Sequence, residues 1–207
     1  LLLLVNRCTS LPLPLKVYDN VLNLETSKSL FTSTHTSSLP TSQLRHVFKR
    51  THPNNPIERT LDGILKELKD ESPVVEYWSR ETWNNLEVHK DVDEMKAKNE
   101  PHVPFNYPTH GHVLYFSSSG PVLSSPSSGS TFLFSNDVMY TCPPTPGRLL
   151  RFKGDVPHSV PRPTRAYYDE EVGGSNHVIY MRRREDEECR EVVLFNTWSY
   201  EVEGDRG

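Results

Sequence analysis

The spacing of apolar residues changes period once along the chain. Ile57, Leu61, Ile64, Leu65 and Leu68 recur at intervals of three and four, the repeat of one helical face. Asn54-Asn55-Pro56 stands just ahead of them, an Asn cap followed by Pro at the first helical position. The pattern predicts an amphipathic helix over 56–69 whose stripe lies against a sheet. From Val74 the style becomes β-branched and aromatic, beginning with Val74-Val75-Glu76-Tyr77-Trp78. Further strands are predicted at 86–93, 110–116, 130–134, 149–152, 158–160, 178–182 and 192–198. Ahead of the helix, Pro12 and Pro14 make 11–22 an extended segment suited to a sheet edge. A short helix at 22–31 and a Ser/Thr-rich loop at 32–42 follow it. The polar stretch 96–107, with Pro101 and Pro104, reads as a loop or lid. Short strands succeeding one another after initial helices predict a mainly β fold with flanking helices (α+β), a two-sheet β-sandwich or jelly roll with its helices on one side.

A length of 207 residues suits one domain. It divides into a helical flank at about 17–70 and a jelly-roll core at about 74–200. The 17 prolines fit a loop-rich β protein better than a helical bundle. A net charge of -4 gives no general attraction to a phosphate backbone, and the run Arg182-Arg183-Arg184 is answered at once by Glu185-Asp186-Glu187-Glu188. No nucleic-acid partner is expected. Cys8, Cys142 and Cys189 are odd in number and widely spaced, which argues against a disulfide framework and favours a reducing intracellular compartment, cytoplasm or organelle. No apolar run is long enough to span a membrane. The chain opens on Leu1 to Val5 with no Met before them, which reads as a trimmed start carrying the remnant of a targeting segment or an upstream strand. Nothing in the pattern indicates an oligomeric state.

The alternation in Leu86-Glu87-Val88-His89-Lys90-Asp91-Val92-Asp93 carries the chemistry. On a strand, His89 and Asp91 point to one side, so an imidazole and a carboxylate can converge. Such a pair suits iron, zinc or manganese better than calcium or magnesium. His158, in Gly147-Arg-Leu-Leu-Arg-Phe-Lys-Gly-Asp-Val-Pro-His158, is the candidate third ligand. Two His and one carboxylate would form a facial triad that leaves coordination positions open for other molecules. His-x-Asp by itself also describes an exposed strand whose charged residues face water. His110 and His112 share the same spacing without a carboxylate and read as ordinary strand residues. Asp93 shares a face with Asp91.

Taken in order, the helix, His89-x-Asp91, Leu114-Tyr115-Phe116, Gly129-Ser-Thr-Phe132, Gly147 to His158 and the late Arg190-Glu-Val-Val-Leu-Phe-Asn-Thr-Trp198 resemble the Fe(II)- and 2-oxoglutarate-dependent dioxygenases. Within them the order is closest to the prolyl 4-hydroxylase-like branch. The resemblance runs from about Val17 to Trp198, and its specificity lies in the ordered set. It implies a double-stranded β-helix, an oxidoreductase using Fe(II), 2-oxoglutarate and O2, with ascorbate as a candidate reductant, and hydroxylation of a small molecule or a peptidyl residue such as proline. It implies that His89, Asp91 and His158 bind the iron.

By the same resemblance the distal carboxylate of 2-oxoglutarate falls to a late cation, for which a guanidinium fork is well shaped. Arg190, opening the last apolar strand, is preferred over Arg162 and Arg165, which flank Pro163 in a turn. This makes 164–189 an inserted hairpin or lid. Tyr115 matches a position whose hydroxyl helps hold the cosubstrate, and it also reads as a core aromatic. Thr131 is a candidate helper and equally a β-branched strand former. Glu76, Trp78 and Arg80 precede the ligand strand and are candidates for the substrate mouth, while Trp198 reads as core packing. Two other classes stay open: a non-catalytic jelly-roll binding module, and a cupin-like metalloenzyme that does not use 2-oxoglutarate.

Overall fold

The structure, a computed structural model, describes residues 14–23, 26, 30, 45–82, 86–116, 129–161 and 189–202, with the backbone alone at 81, 82, 189 and 190. Strands β1 (Leu15–Tyr18) and β2 (His46–Lys49) precede helix α1 (Pro56–Glu67). Next come β3 (Val74–Thr82), β4 (Leu86–His89), helix α2 (Glu94–Asn99) and β5 (His110–Tyr115). The remainder is β6 (Thr131–Ser135), β7 (Val138–Cys142), β8 (Leu149–Lys153), β9 (His158–Val160) and β10 (Cys189–Trp198). They form a six-stranded sheet in the order β1-β8-β5-β10-β3-β2 and a four-stranded sheet in the order β4-β9-β6-β7. All pairings are antiparallel, and the two sheets face each other as the double-stranded β-helix, or jelly roll, that the sequence led us to expect.

The six-stranded sheet is buried on both faces, which explains its near-continuous apolar strands. Ile57, Leu61, Ile64 and Leu65 of α1 pack on Val75, Tyr77, Leu114, Leu149, Val193 and Phe195. The alternate residues Val113, Tyr115, Leu150, Phe152, Val192 and Leu194 turn the other way, toward Leu133 and Cys142 of the smaller sheet. This parity divides the molecule: one face of the sheet holds α1, and the other forms the interior of the roll.

The helix is set in place at both ends. Asn55 caps it, its side chain accepting from Glu58 N at 2.9 Å, and the Glu58 carboxylate accepts in turn from Asn54 N at 2.6 Å. Beyond the C-terminus, Asp70 accepts from Arg151 of β8 at 2.6 Å and meets His110 of β5 at 3.2 Å. Arg50 bonds Asp62 of α1 at 2.9 Å and the carbonyls of Asp70 and Ser72. Burial alone would raise the pKa of Asp70, yet hydrogen bonds from His110 and Ser72 and the Arg151 charge hold it far below the carboxylate range. A buried carboxylate satisfied in this way fastens the α1–β3 turn to the sheet.

Several elements differ from expectation. The strand expected at 86–93 ends at His89, and Asp93, four residues on, caps α2, accepting from Lys96 N at 3.0 Å. The loop expected at 96–107 therefore begins as a short helix. β2 and β7 were not anticipated. β2 is four residues long with Phe48 as its one fully buried side chain, too little to show a period. β7 is an edge strand, joined to β6 through Asn136 and Asp137 at φ 51 and 60, the left-handed pair of a two-residue hairpin turn. The strand expected at 178–182 lies outside the described residues, as does most of the helix expected at 22–31, from which Leu30 joins the core. No helix among the described residues is long and apolar enough to cross a membrane.

His112 is only 2% exposed on the α1 side, stacked on Phe195 at 4.3 Å. Its Nδ1 donates to the Phe195 carbonyl at 3.2 Å, while its Nε2 is buried with no hydrogen-bond partner among the described residues. Burial, aided by the Arg151 and His110 charges, pushes its pKa down from 6.5 to about 3. Between those values the unfolded chain binds a proton that the folded chain does not. The stability contributed above pH 6.5 is therefore lost as pH falls toward 3, at about 1 kcal/mol per pH unit. Thermal unfolding of His112→Phe between pH 6.5 and 4 should fall with acidification less steeply than wild type; an equal slope would contradict a buried neutral His112.

Candidate metal centre

The site begins with the pairing of β4 and β9. A register irregularity between Leu86 and His89 leaves His89 directly opposite His158, with the two rings 4.4 Å apart. Asp91 lies just beyond the end of β4 and turns back between them. Its Oδ1 is 3.7 Å from His89 Nε2, and its Oδ2 is 3.8 Å from His158 Nε2. One ligand atom from each of the three residues lies within 4.8 Å of the others.

Each histidine is oriented by its own strand. His89 Nδ1 is 2.7 Å from the Glu87 carbonyl, and His158 Nδ1 is 3.1 Å from the Val156 carbonyl. A carbonyl only accepts, so both Nδ1 atoms carry a proton and both Nε2 atoms face the Asp91 carboxylate. Burial lowers the pKa of His158, and the neighbouring Asp91 works against that shift. Two oriented imidazoles and one carboxylate are the donor set that suits a divalent first-row metal, and each imidazole carries the outer hydrogen bond that such ligands use to hold their tautomer. Asp91 has one too, since Asn196 Nδ2 of β10 donates to its Oδ2 at 3.2 Å.

The triad opens onto a cavity of about 540 Å³. One wall is the inward face of β3, with Glu76, Trp78 and Arg80, and Arg45, Thr131 and Asn196 are among its other polar residues. Glu76 is 3% exposed, bound to Arg45 at 3.0 Å and to Trp198 Nε1 at 2.9 Å. Burial raises its pKa, and the charge of Asp91 adds to the rise while Arg45 opposes it. Tyr115 is fully buried, and its hydroxyl meets the Thr131 hydroxyl at 2.7 Å. Thr131 reaches the cavity and Tyr115 stands behind it.

The structure thus brings His89, Asp91, His158, Thr131, Glu76, Trp78 and Arg80 to one cavity and places Tyr115 at its wall. It sets Asp93 apart from the triad as the cap of α2, where it also accepts from the Tyr200 hydroxyl at 3.2 Å. Trp198 packs in the core at 1% exposure, as expected. The side chain of Arg190 lies outside the described residues, as do Arg162 and Arg165. Arg45 and Asn196 were not anticipated. Asn196 did leave a signal, as the one polar residue at the inward parity of Val192-x-Leu194-x-Asn196. Arg45 left none, because the ladder that brings its strand beside β3 spans about thirty residues of sequence.

No protein-family model and no curated protein matches the chain. Solved structures do. A Pseudomonas putida prolyl-4-hydroxylase matches with a TM-score of 0.52 at 13% identity, over 93% of this chain and 87% of that one. HygX from Streptomyces hygroscopicus, solved with nickel and 2-oxoglutarate bound, matches with 0.51 at 13% identity, over 92% and 85%. A Trichoplax adhaerens prolyl hydroxylase, in complex with a hypoxia inducible factor peptide fragment, matches with 0.50 at 10% identity, over 90% and 84%. The prolyl hydroxylase likeness read from the order of motifs is met at the level of fold. This chain has the double-stranded β-helix of those proteins, and within it a His-Asp-His group able to hold a metal ion.

Proposed function

We propose that this protein is an Fe(II)- and 2-oxoglutarate-dependent dioxygenase that hydroxylates a peptidyl residue such as proline, or a small molecule, with release of succinate and CO2. The observation that carries this reading is the convergence of His89 Nε2, His158 Nε2 and the Asp91 carboxylate at a cavity large enough for a cosubstrate beside a substrate. His89, Asp91 and His158 would hold the iron, which when bound supplies oxygen activation coupled to decarboxylation of 2-oxoglutarate. The chain's own part is placement. The Glu87 and Val156 carbonyls fix both imidazoles, and three protein ligands leave adjacent positions open. HygX, of the same fold, was solved with a metal and 2-oxoglutarate together, which supports the pairing of cofactor and cosubstrate. The bound peptide of the Trichoplax enzyme supports the peptidyl option.

The distal carboxylate of 2-oxoglutarate is assigned to Arg190 with Tyr115 and Thr131. Val192 lies between Tyr115 and Arg80 across the ladder, so position 190 opens the strand next to the Tyr115 row. Arg80, paired with Val192 in that same row, is a cation on the cavity wall.

Two experiments test the proposal. Succinate formation from 2-oxoglutarate with Fe(II) should be detectable in wild type and abolished in His89→Ala and in His158→Ala; normal turnover in both variants would overturn the ligand assignment. Arg190→Gln should raise the apparent KM for 2-oxoglutarate on the order of 100-fold, the cost of leaving one partner of an enclosed charge pair unmatched. A similar rise in Arg80→Gln with none in Arg190→Gln would move the clamp to β3.

A further inference from the structure

Asn196 occupies an unusual position. β10 faces the interior with Val192, Leu194 and Asn196, and the first two belong to the apolar core. Asn196 is 3% exposed, so its amide is removed from water and needs a partner inside the roll. Across the ladder on one side stands Glu76, and on the other Gly111. Glu76 is engaged elsewhere, one oxygen on Arg45 and the other on Trp198 Nε1. The Asn196 amide nitrogen turns to Asp91 Oδ2 at 3.2 Å. It thus stands between two carboxylates and donates to the one beside the histidines.

Resting on the metal-centre reading, the geometry points to Asn196 as a positioning residue. Its amide holds Oδ2 of Asp91 and so keeps the carboxylate oriented between His89 and His158. Without that donor, Asp91 is free to turn away from the two histidines. Outer hydrogen bonds of this kind affect metal affinity by ten- to a hundredfold.

The test uses the full chain, stripped of metal, with Co(II) as the probe, read by calorimetry and by the visible Co(II) spectrum. Asn196→Leu keeps the size and matches the apolar character of β10, and Asn196→Ala removes the amide without adding bulk or charge. Both should bind Co(II) at least tenfold more weakly than wild type and change the ligand-field bands, with melting temperatures close to wild type. Asn196→Gln, which retains the donor, should recover part of the affinity. Affinity and spectrum unchanged in the folded Leu or Ala variant would overturn the proposal, as would a loss of affinity that merely tracks a loss of melting temperature. Because Co(II) alone is the probe, a wild type that binds it tightly but shows no use of 2-oxoglutarate sinks the oxygenase reading and leaves this test intact. A wild type that binds no Co(II) overturns both.

Discussion

The antiparallel contact between β4 and β9 is the constraint on which the site depends. These are short strands, and their register alone sets His89 opposite His158 across 4.4 Å. A shift of one residue in either strand would send one imidazole to the outer face of the sheet. What keeps the register is indirect. β9 is also paired to β6, with Leu133 opposite His158, and Leu133 is anchored in the interior of the roll. The irregularity between Leu86 and His89 then takes up the residue that would otherwise turn His89 away.

The six-stranded sheet divides labour between its faces. Residues of one parity bind α1 and the Asp70 network of Arg151, His110 and Arg50, and none of these lines the cavity. Residues of the other parity on β3 and β10 become the cavity wall, polar where they approach Asp91 and apolar below. Substitutions on the outer parity therefore act through stability, and those of Glu76, Trp78, Arg80 and Asn196 on the inner parity change the cavity. The buried Arg45–Glu76 pair belongs to the second group. Its ions are costly to desolvate, and a well-packed apolar pair would serve the fold as well, so its place beside the triad is best explained by the cavity it lines.

How much of this was legible in the sequence follows from how local each signal is. Asn55, Pro56 and the Ile57–Leu68 stripe declare α1 within a few turns of chain, and His89-x-Asp91 with the segment running into His158 declares the triad. The sheet-edge strands were harder. β2 and β7 are short and half exposed, so neither presents a period, although the Asn136-Asp137 pair marks the turn before β7. The expected strand face shared by His89 and Asp91 pairs two residues that the structure also brings together, though by another route, since Asp91 lies beyond β4 and is held by Asn196. Contacts made only by long-range pairing, such as Arg45 with Glu76 and Asn196 with Asp91, have no signature in a single chain beyond a polar residue at an apolar parity. His112 shows the reverse case: its spacing from His110 resembles a ligand pair, yet it is spent on stacking against Phe195.

The central claim is that His89, Asp91 and His158 hold one Fe(II) with room left for a chelating keto acid. Anaerobic addition of Fe(II) and 2-oxoglutarate to the metal-free protein, followed by visible absorption, tests it most directly. The account predicts a weak charge-transfer band that requires both components and disappears in Asp91→Ala. Tight binding of the metal with no band on adding 2-oxoglutarate would contradict it and favour a metalloenzyme of another class on the same fold.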